Sequence, residues 1–208
     1  MKKLFLVAIM SLAISHVCAD NYKILYVNDP SLTYKDGRKV QKGDVISDAS
    51  SIKWEKERQA VKVINQSTKR QTLFTSREWV RAKGTGALVY IQQASTQASG
   101  NSSYAKLYNS FKSQYELLDS IRIPTDMEQS DNCYFTVAYM YGDTKITKRL
   151  GQEDGAAIID MTLFDVDDKK LEPRDVVLSV EYVNKKEYKT IFVKDKVQLY
   201  IIPEKIEE

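Results

Sequence analysis

Apolar residues fall at every second position through much of this chain, and clusters of Gly, Asp, Asn and Pro interrupt them at short intervals. A period of two puts alternate side chains on opposite faces of an extended strand, so the pattern predicts sheets. Tyr22 to Val27 opens as a strand rich in β-branched and aromatic residues, ended by Asn28-Asp29-Pro30. Asp36-Gly37, between Thr33-Tyr34 and Arg38-Lys39-Val40, predicts a two-residue type I′ hairpin, which needs positive φ at both central residues. Lys42-Gly43-Asp44 marks another turn, and Val45-Ile46, Ile52-Lys53-Trp54, Ala60 to Ile64 and Gln71 to Phe74 follow as short strands. Residues 20–91 therefore read as a small N-terminal β lobe, barrel or sandwich.

The pattern breaks at Gly84-Thr85-Gly86 and across Gln92 to Ser103, where no large apolar residue occurs; residues 92–103 read as a polar linker or loop. Tyr104, Leu107, Tyr108, Phe111, Tyr115 and Leu118 then recur at three- and four-residue steps, the spacing of one helix face, with Ser102 or Ser103 placed to cap it. A competing pattern breaks near Ser113 and makes Tyr115 to Ile123 a strand running into Pro124. The expectation is a short helix followed by a strand.

From Cys133 the strand signal is cleaner. Tyr134 to Tyr141 and Thr144 to Leu150 flank Gly142-Asp143, a good two-residue hairpin turn, and Ala157 to Phe164, Val176 to Val183, Tyr188 to Val193 and Val197 to Ile202 complete the set. Phe135, Val137, Tyr139 and Tyr141 share one face of their strand while Tyr134, Ala138 and Met140 make the other apolar too, which predicts a central strand buried on both sides. The expected fold is mainly β: the N-terminal lobe, one short helix, and an antiparallel sandwich of immunoglobulin-like size within residues 104–203, with residues 204–208 as a charged tail. No internal repeat is evident.

The N-terminus reads differently. Lys2 and Lys3, the apolar stretch Leu4 to Ile14 and the small residues of Val17-Cys18-Ala19 have the form of an export signal cleaved before Asp20. The apolar stretch is far short of the roughly 20 residues a membrane-crossing helix needs. A lipoprotein signal with Cys18 acylated is disfavoured, because Ser15-His16-Val17 precede the cysteine where a small residue and a Leu-like residue are usual. The expectation is an exported periplasmic or extracellular protein with no transmembrane segment after cleavage.

Cleavage at that point changes the available chemistry. The 208-residue chain has one histidine and two cysteines, and cleavage would remove His16 and Cys18. Without imidazole the usual general base and commonest metal ligand are lost. Cys133 is left with no intramolecular partner, so the fold must be held by its sheets. Losing Lys2 and Lys3 from 31 basic residues brings the count close to the 28 acidic ones, which argues against a nucleic-acid binder.

Ile24-Leu25-Tyr26-Val27, the Lys42-Gly43-Asp44 turn, Ile52-Lys53-Trp54, Ala60 to Asn65 and Leu117 to Pro124 together resemble exported β-rich proteins of Bacteroidetes-type bacteria. The resemblance covers most of the mature chain and implies two lobes and an envelope or secreted location. It implies no activity, site residue or cofactor.

Candidate chemistry is sparse. Asp165-Val166-Asp167-Asp168 is the densest acidic cluster and offers oxygen ligands at alternate positions, as Ca²⁺ requires. An EF-hand loop, however, would need Gly where Lys170 stands and Glu where Val176 stands, so a solvated hairpin turn explains the cluster better. Asp160 and Glu181 lie in strands and are the nearest approach to a paired-carboxylate glycosidase. Neither a Gly-x-Ser-x-Gly elbow nor a phosphate-binding loop is present, Gly84-Thr85-Gly86 being too short. Thirteen tyrosines, with Trp54 and Trp79, are the main binding resource, although most should be core. The expectation is a non-catalytic protein with no catalytic, cofactor or metal residues, binding another envelope or secreted protein; the alternative is a carbohydrate-binding module or a small glycosidase.

Overall fold

The computed structural model describes residues 21–77 and 103–206, so the segment read as an export signal, Trp79, Gly84-Thr85-Gly86, residues 92–102 with Ser102, and the last two residues lie outside the described part. Strand outweighs helix by 52% to 8%, which makes the fold mainly β as the alternation predicts. The first part contains β1 (Tyr22–Val27), β2 (Thr33–Tyr34), β3 (Val45–Ile46), β4 (Ile52–Lys53), β5 (Ala60–Asn65) and β6 (Gln71–Thr75). They form an antiparallel sheet in the order β3-β1-β5-β6 and a separate β2-β4 pair. The sheet does not close, which removes the barrel alternative. With β3 only two residues long, there is too little strand to complete a ring of backbone pairing. Tyr22, Ile24, Ile52, Val61, Val63 and Phe74 make its core.

The hairpin at Asp36-Gly37 takes a different form from the one its dipeptide predicts. Positive φ occurs at Gly37 (89°) and not at Asp36. Gly37 N–H donates to Tyr34 O (3.0 Å) and Tyr34 N–H to Arg38 O (2.8 Å), so the loop has three residues with Gly37 as a left-handed bulge.

The second part begins with α1 (Ser103–Ser110) and continues through β7 (Gln114–Leu117), β8 (Ser120–Pro124), β9 (Cys133–Tyr141), β10 (Thr144–Arg149), β11 (Gly151–Glu153), β12 (Ala156–Asp160), β13 (Asp165–Val166), β14 (Lys169–Lys170), β15 (Val176–Asn184) and β16 (Lys189–Ile201). One sheet has the order β10-β9-β15-β16-β7 and a second the order β11-β12-β8. Phe135, Val137, Tyr139, Leu178, Val180 and Tyr182 from the first share one core with Ile123, Ala157 and Ile159 from the second.

Four expectations are corrected here. The strand expected over Tyr115 to Ile123 is two strands, broken after Leu117, and each joins a different sheet. The β7–β16 pairing is parallel, so the five-stranded sheet is not wholly antiparallel. Ala157 to Phe164 is strand only to Asp160, because the Asp160 carboxylate accepts from Thr162 N–H and caps a 3₁₀ turn over Met161–Phe164. The runs Tyr188 to Val193 and Val197 to Ile202 are a single strand, β16, carrying an irregularity where Lys196 takes φ 55°.

Ala60, Leu118 and Ile202 form a small cluster of their own with Leu73 against it, linking the two parts. The tail is not free either: Tyr26 hydroxyl donates to Glu204 O and Ile206 N–H to Asn28 O.

Candidate functional site

The outer face of the five-stranded sheet is where structure and sequence part most informatively. β9 is an interior strand, flanked by β10 and β15, yet full burial is confined to Cys133, Phe135, Val137 and Tyr139 on one face; Tyr134 and Ala138 on the other are half-buried and Met140 is 54% exposed. Apolar residues on both faces of a strand predict cover on both faces, and here, among the described residues, no second sheet or helix packs on the Met140 face. Val177, 47% exposed on the neighbouring β15, joins Met140 in lining a depression of about 400 Å³ with Asp175, Val176 and Gln198. Polar groups adjoin this apolar centre: Asp175 and Gln198 line the depression, and on the same sheet face Ser179 hydroxyl donates to Asp195 (2.6 Å). Farther along β9 the Arg149 guanidinium stands 4.5 Å over the Tyr134 ring. Exposed apolar side chains beside polar groups are a common composition of a protein-binding surface.

A polar seam fixes the first part against the second. Asn28 is buried; its side-chain amide donates to Arg58 O (2.8 Å) and Pro203 O (3.1 Å) and its oxygen accepts from Ala60 N–H (2.7 Å). Beside it Asp29 is fully buried. Burial alone would raise its pKa, but hydrogen bonds from Ser31, Gln59 and Lys56 outweigh that and lower it to about 2. Farther along, Lys62 pairs with Asp119, and Thr75 hydroxyl donates to Glu116 (2.6 Å), which also pairs with Arg77 (3.4 Å). Arg77 lies 3.5 Å over the Tyr200 ring. None of this is legible in the sequence, because it joins residues far apart in the chain with no spacing rule; Asn28-Asp29-Pro30 signalled only a turn.

A second concavity, about 480 Å³, lies in the first part between Tyr34, Lys35, Asp36, Arg38, Asp44, Val45, Ile46, Ser47 and Ser51. Tyr34 hydroxyl donates to Asp44 (2.8 Å); burial, then this bond, push its pKa up. Its ring is only 6% exposed, so the cleft offers hydroxyls and charges but no broad aromatic face. Trp54 packs against the first core with its indole N–H donating to Ala49 O (3.3 Å), and it does not line this cleft.

The other sequence candidates separate. Asp160 lies in the three-stranded sheet as the cap described above, while Glu181 lies in β15 of the five-stranded sheet opposite Thr136, so the two carboxylates belong to different sheets. Asp167 (φ 48°) and Asp168 (φ 64°) are the two central residues of the tight β13–β14 hairpin, as the turn reading of the acidic cluster requires. Among the described residues no three His, Cys, Asp or Glu side chains are grouped to hold a metal ion. Cys133 is a buried free thiol beside the Tyr182 hydroxyl; burial first, then the hydrogen bond with Cys133, push that hydroxyl's pKa up. Sequence reasoning did not single out Lys194, which is buried, donates to Phe111 O and has its pKa lowered by desolvation. No helix among the described residues is long and apolar enough to cross a membrane. Comparison with family models, with curated proteins and with solved structures gives no match to this chain.

Proposed function

We propose that the chain is an exported, non-catalytic binding module of the bacterial envelope, in which a small β lobe is attached to an immunoglobulin-like sandwich that binds another envelope or secreted protein. The strand order supports the immunoglobulin-like reading, since a five-stranded and a three-stranded sheet share one core and the first strand, β7, runs parallel to the last, β16. The observation that carries the binding reading is the exposure of Met140 and Val177 side by side on the outer face of the five-stranded sheet. Periplasmic or extracellular location rests on the residues of the N-terminal signal alone.

The test is photo-crosslinking from position 140 or 177 in native envelopes, followed by identification of the captured protein. A discrete partner lost on Met140→Glu supports the reading. No captured protein, together with retention on a polysaccharide array, supports the carbohydrate alternative, for which the hydroxyl- and carboxylate-lined cleft beside Tyr34 is the available site.

A further inference from the structure

Among strands that end a sheet, β10 is the longest at six residues, against five for β6 and β8, and it contains no proline. Its backbone phase follows from Leu150 N–H donating to Phe135 O (2.9 Å), a contact that continues the Arg149↔Thr136 register. In an antiparallel ladder bonded and non-bonded residues alternate, so the N–H and C=O groups of Lys145, Thr147 and Arg149 point away from β9 toward the open edge. All three residues are exposed, and among the described residues these outward groups have no backbone partner.

The side chains define what fits there. A second copy of β10 added about a two-fold axis through Thr147 would set Lys145 directly opposite Arg149, and like charges directly opposite destabilise a strand pair. Arg149 is already oriented, donating to Ser130 O (3.1 Å) and stacked over Tyr134; its pair with Asp131 (3.5 Å) is long and solvent-exposed, so an added carboxylate can compete for its fork. Resting on the protein-binding reading above, we infer that the partner contributes an extended acidic segment that adds to β10 as an antiparallel strand, with carboxylates four residues apart facing Lys145 and Arg149. The main-chain bonds of the outward groups supply the attachment and the two charge pairs select for acidic sequence. Met140, paired across β9–β10 with Lys145, extends the same outer face.

The probe is a fluorescein-labelled, capped peptide, Thr-Glu-Val-Thr-Val-Glu-Thr, titrated into the intact protein and followed by anisotropy. Saturable binding is expected, weakened about tenfold when both Glu are replaced by Lys, since two cross-strand charge pairs are inverted. The Lys145→Glu/Arg149→Glu variant, its fold checked by circular dichroism, should reverse that preference. N-methylation of the central Thr of the peptide, which removes an N–H directed at the edge, should abolish binding, whereas N-methylation of a Val should not. Equal binding of acidic and basic peptides, indifference to the central methyl group, or no binding overturns the inference. Crosslinking from position 140 is independent of it: a captured partner without peptide binding would sink the edge-strand inference and leave the binding-module reading standing.

Discussion

Arg58 and Asp175 stand 117 residues apart in the chain and meet at 3.0 Å, one from the loop before β5 and the other from the residue before β15. Asp175 also accepts Ile201 N–H (2.9 Å), and Arg58 donates to Ile201 O (3.2 Å), so the end of β16 is held from both sides. The exposed ion pair itself contributes little. Its geometry matters more, because it orients the strand end that leads into the seam. Asp175→Ala removes the acceptor for Ile201 N–H and should lower stability by about 1 kcal/mol. Urea unfolding measures it, and an unchanged midpoint would remove Asp175 from the account of the seam.

Asp29 gives stability a pH dependence. Its carboxyl is held at about 2 in the folded protein, below the ordinary value near 4, so the folded state favours the charged form. That stabilisation is fully present above about pH 4 and is lost as the pH falls toward 2. Asp29→Asn should therefore cost about 2 kcal/mol at neutral pH, and the difference from the wild type should shrink below pH 4. Denaturant titrations at pH 7 and pH 2.5 test this; a constant difference would refute it.

Phe135 sits between Phe111 (centroids 5.4 Å) and Tyr182 (5.0 Å) and is 1% exposed. Phe135→Ala leaves a cavity in the one core shared by both sheets and should cost about 3–5 kcal/mol, the largest loss among these variants. A thermal scan showing a small shift would mean that the two sheets do not depend on this core.

The acidic hairpin is strained where its two aspartates take positive φ. Asp168→Gly relieves that conformation at one of them and should stabilise the protein by about 0.5–1 kcal/mol. Millimolar Ca²⁺ should leave the melting temperature of the wild type unchanged; a rise in that temperature abolished by Asp167→Asn would restore the metal reading.

Most strands were legible because their side-chain period is a local property. Val176 to Asn184 shows its buried and outward residues in the sequence itself, and β1, β5 and β6 lie where β-branched and aromatic runs predict them. Turn form was less legible: Asp36-Gly37 became a three-residue loop because strand register, set by longer-range pairing, decides how many residues must be spanned. The candidate site was least legible. Met140 reads as core by hydrophobicity, and only the lack of a covering layer among the described residues turns it into surface.

The amino-acid sequence alone determined that this chain builds sheets, where most strands start and stop, and that its acidic cluster is a turn, since all three follow from interactions among residues close together in the chain. The tertiary structure decided the parallel β7–β16 pairing, the seam through Asn28, Asp29 and Arg58, and which edge and face stay open among the described residues. Those depend on which distant segments meet, and a backbone hydrogen bond or a buried carboxylate leaves no periodic mark in the residues that make it.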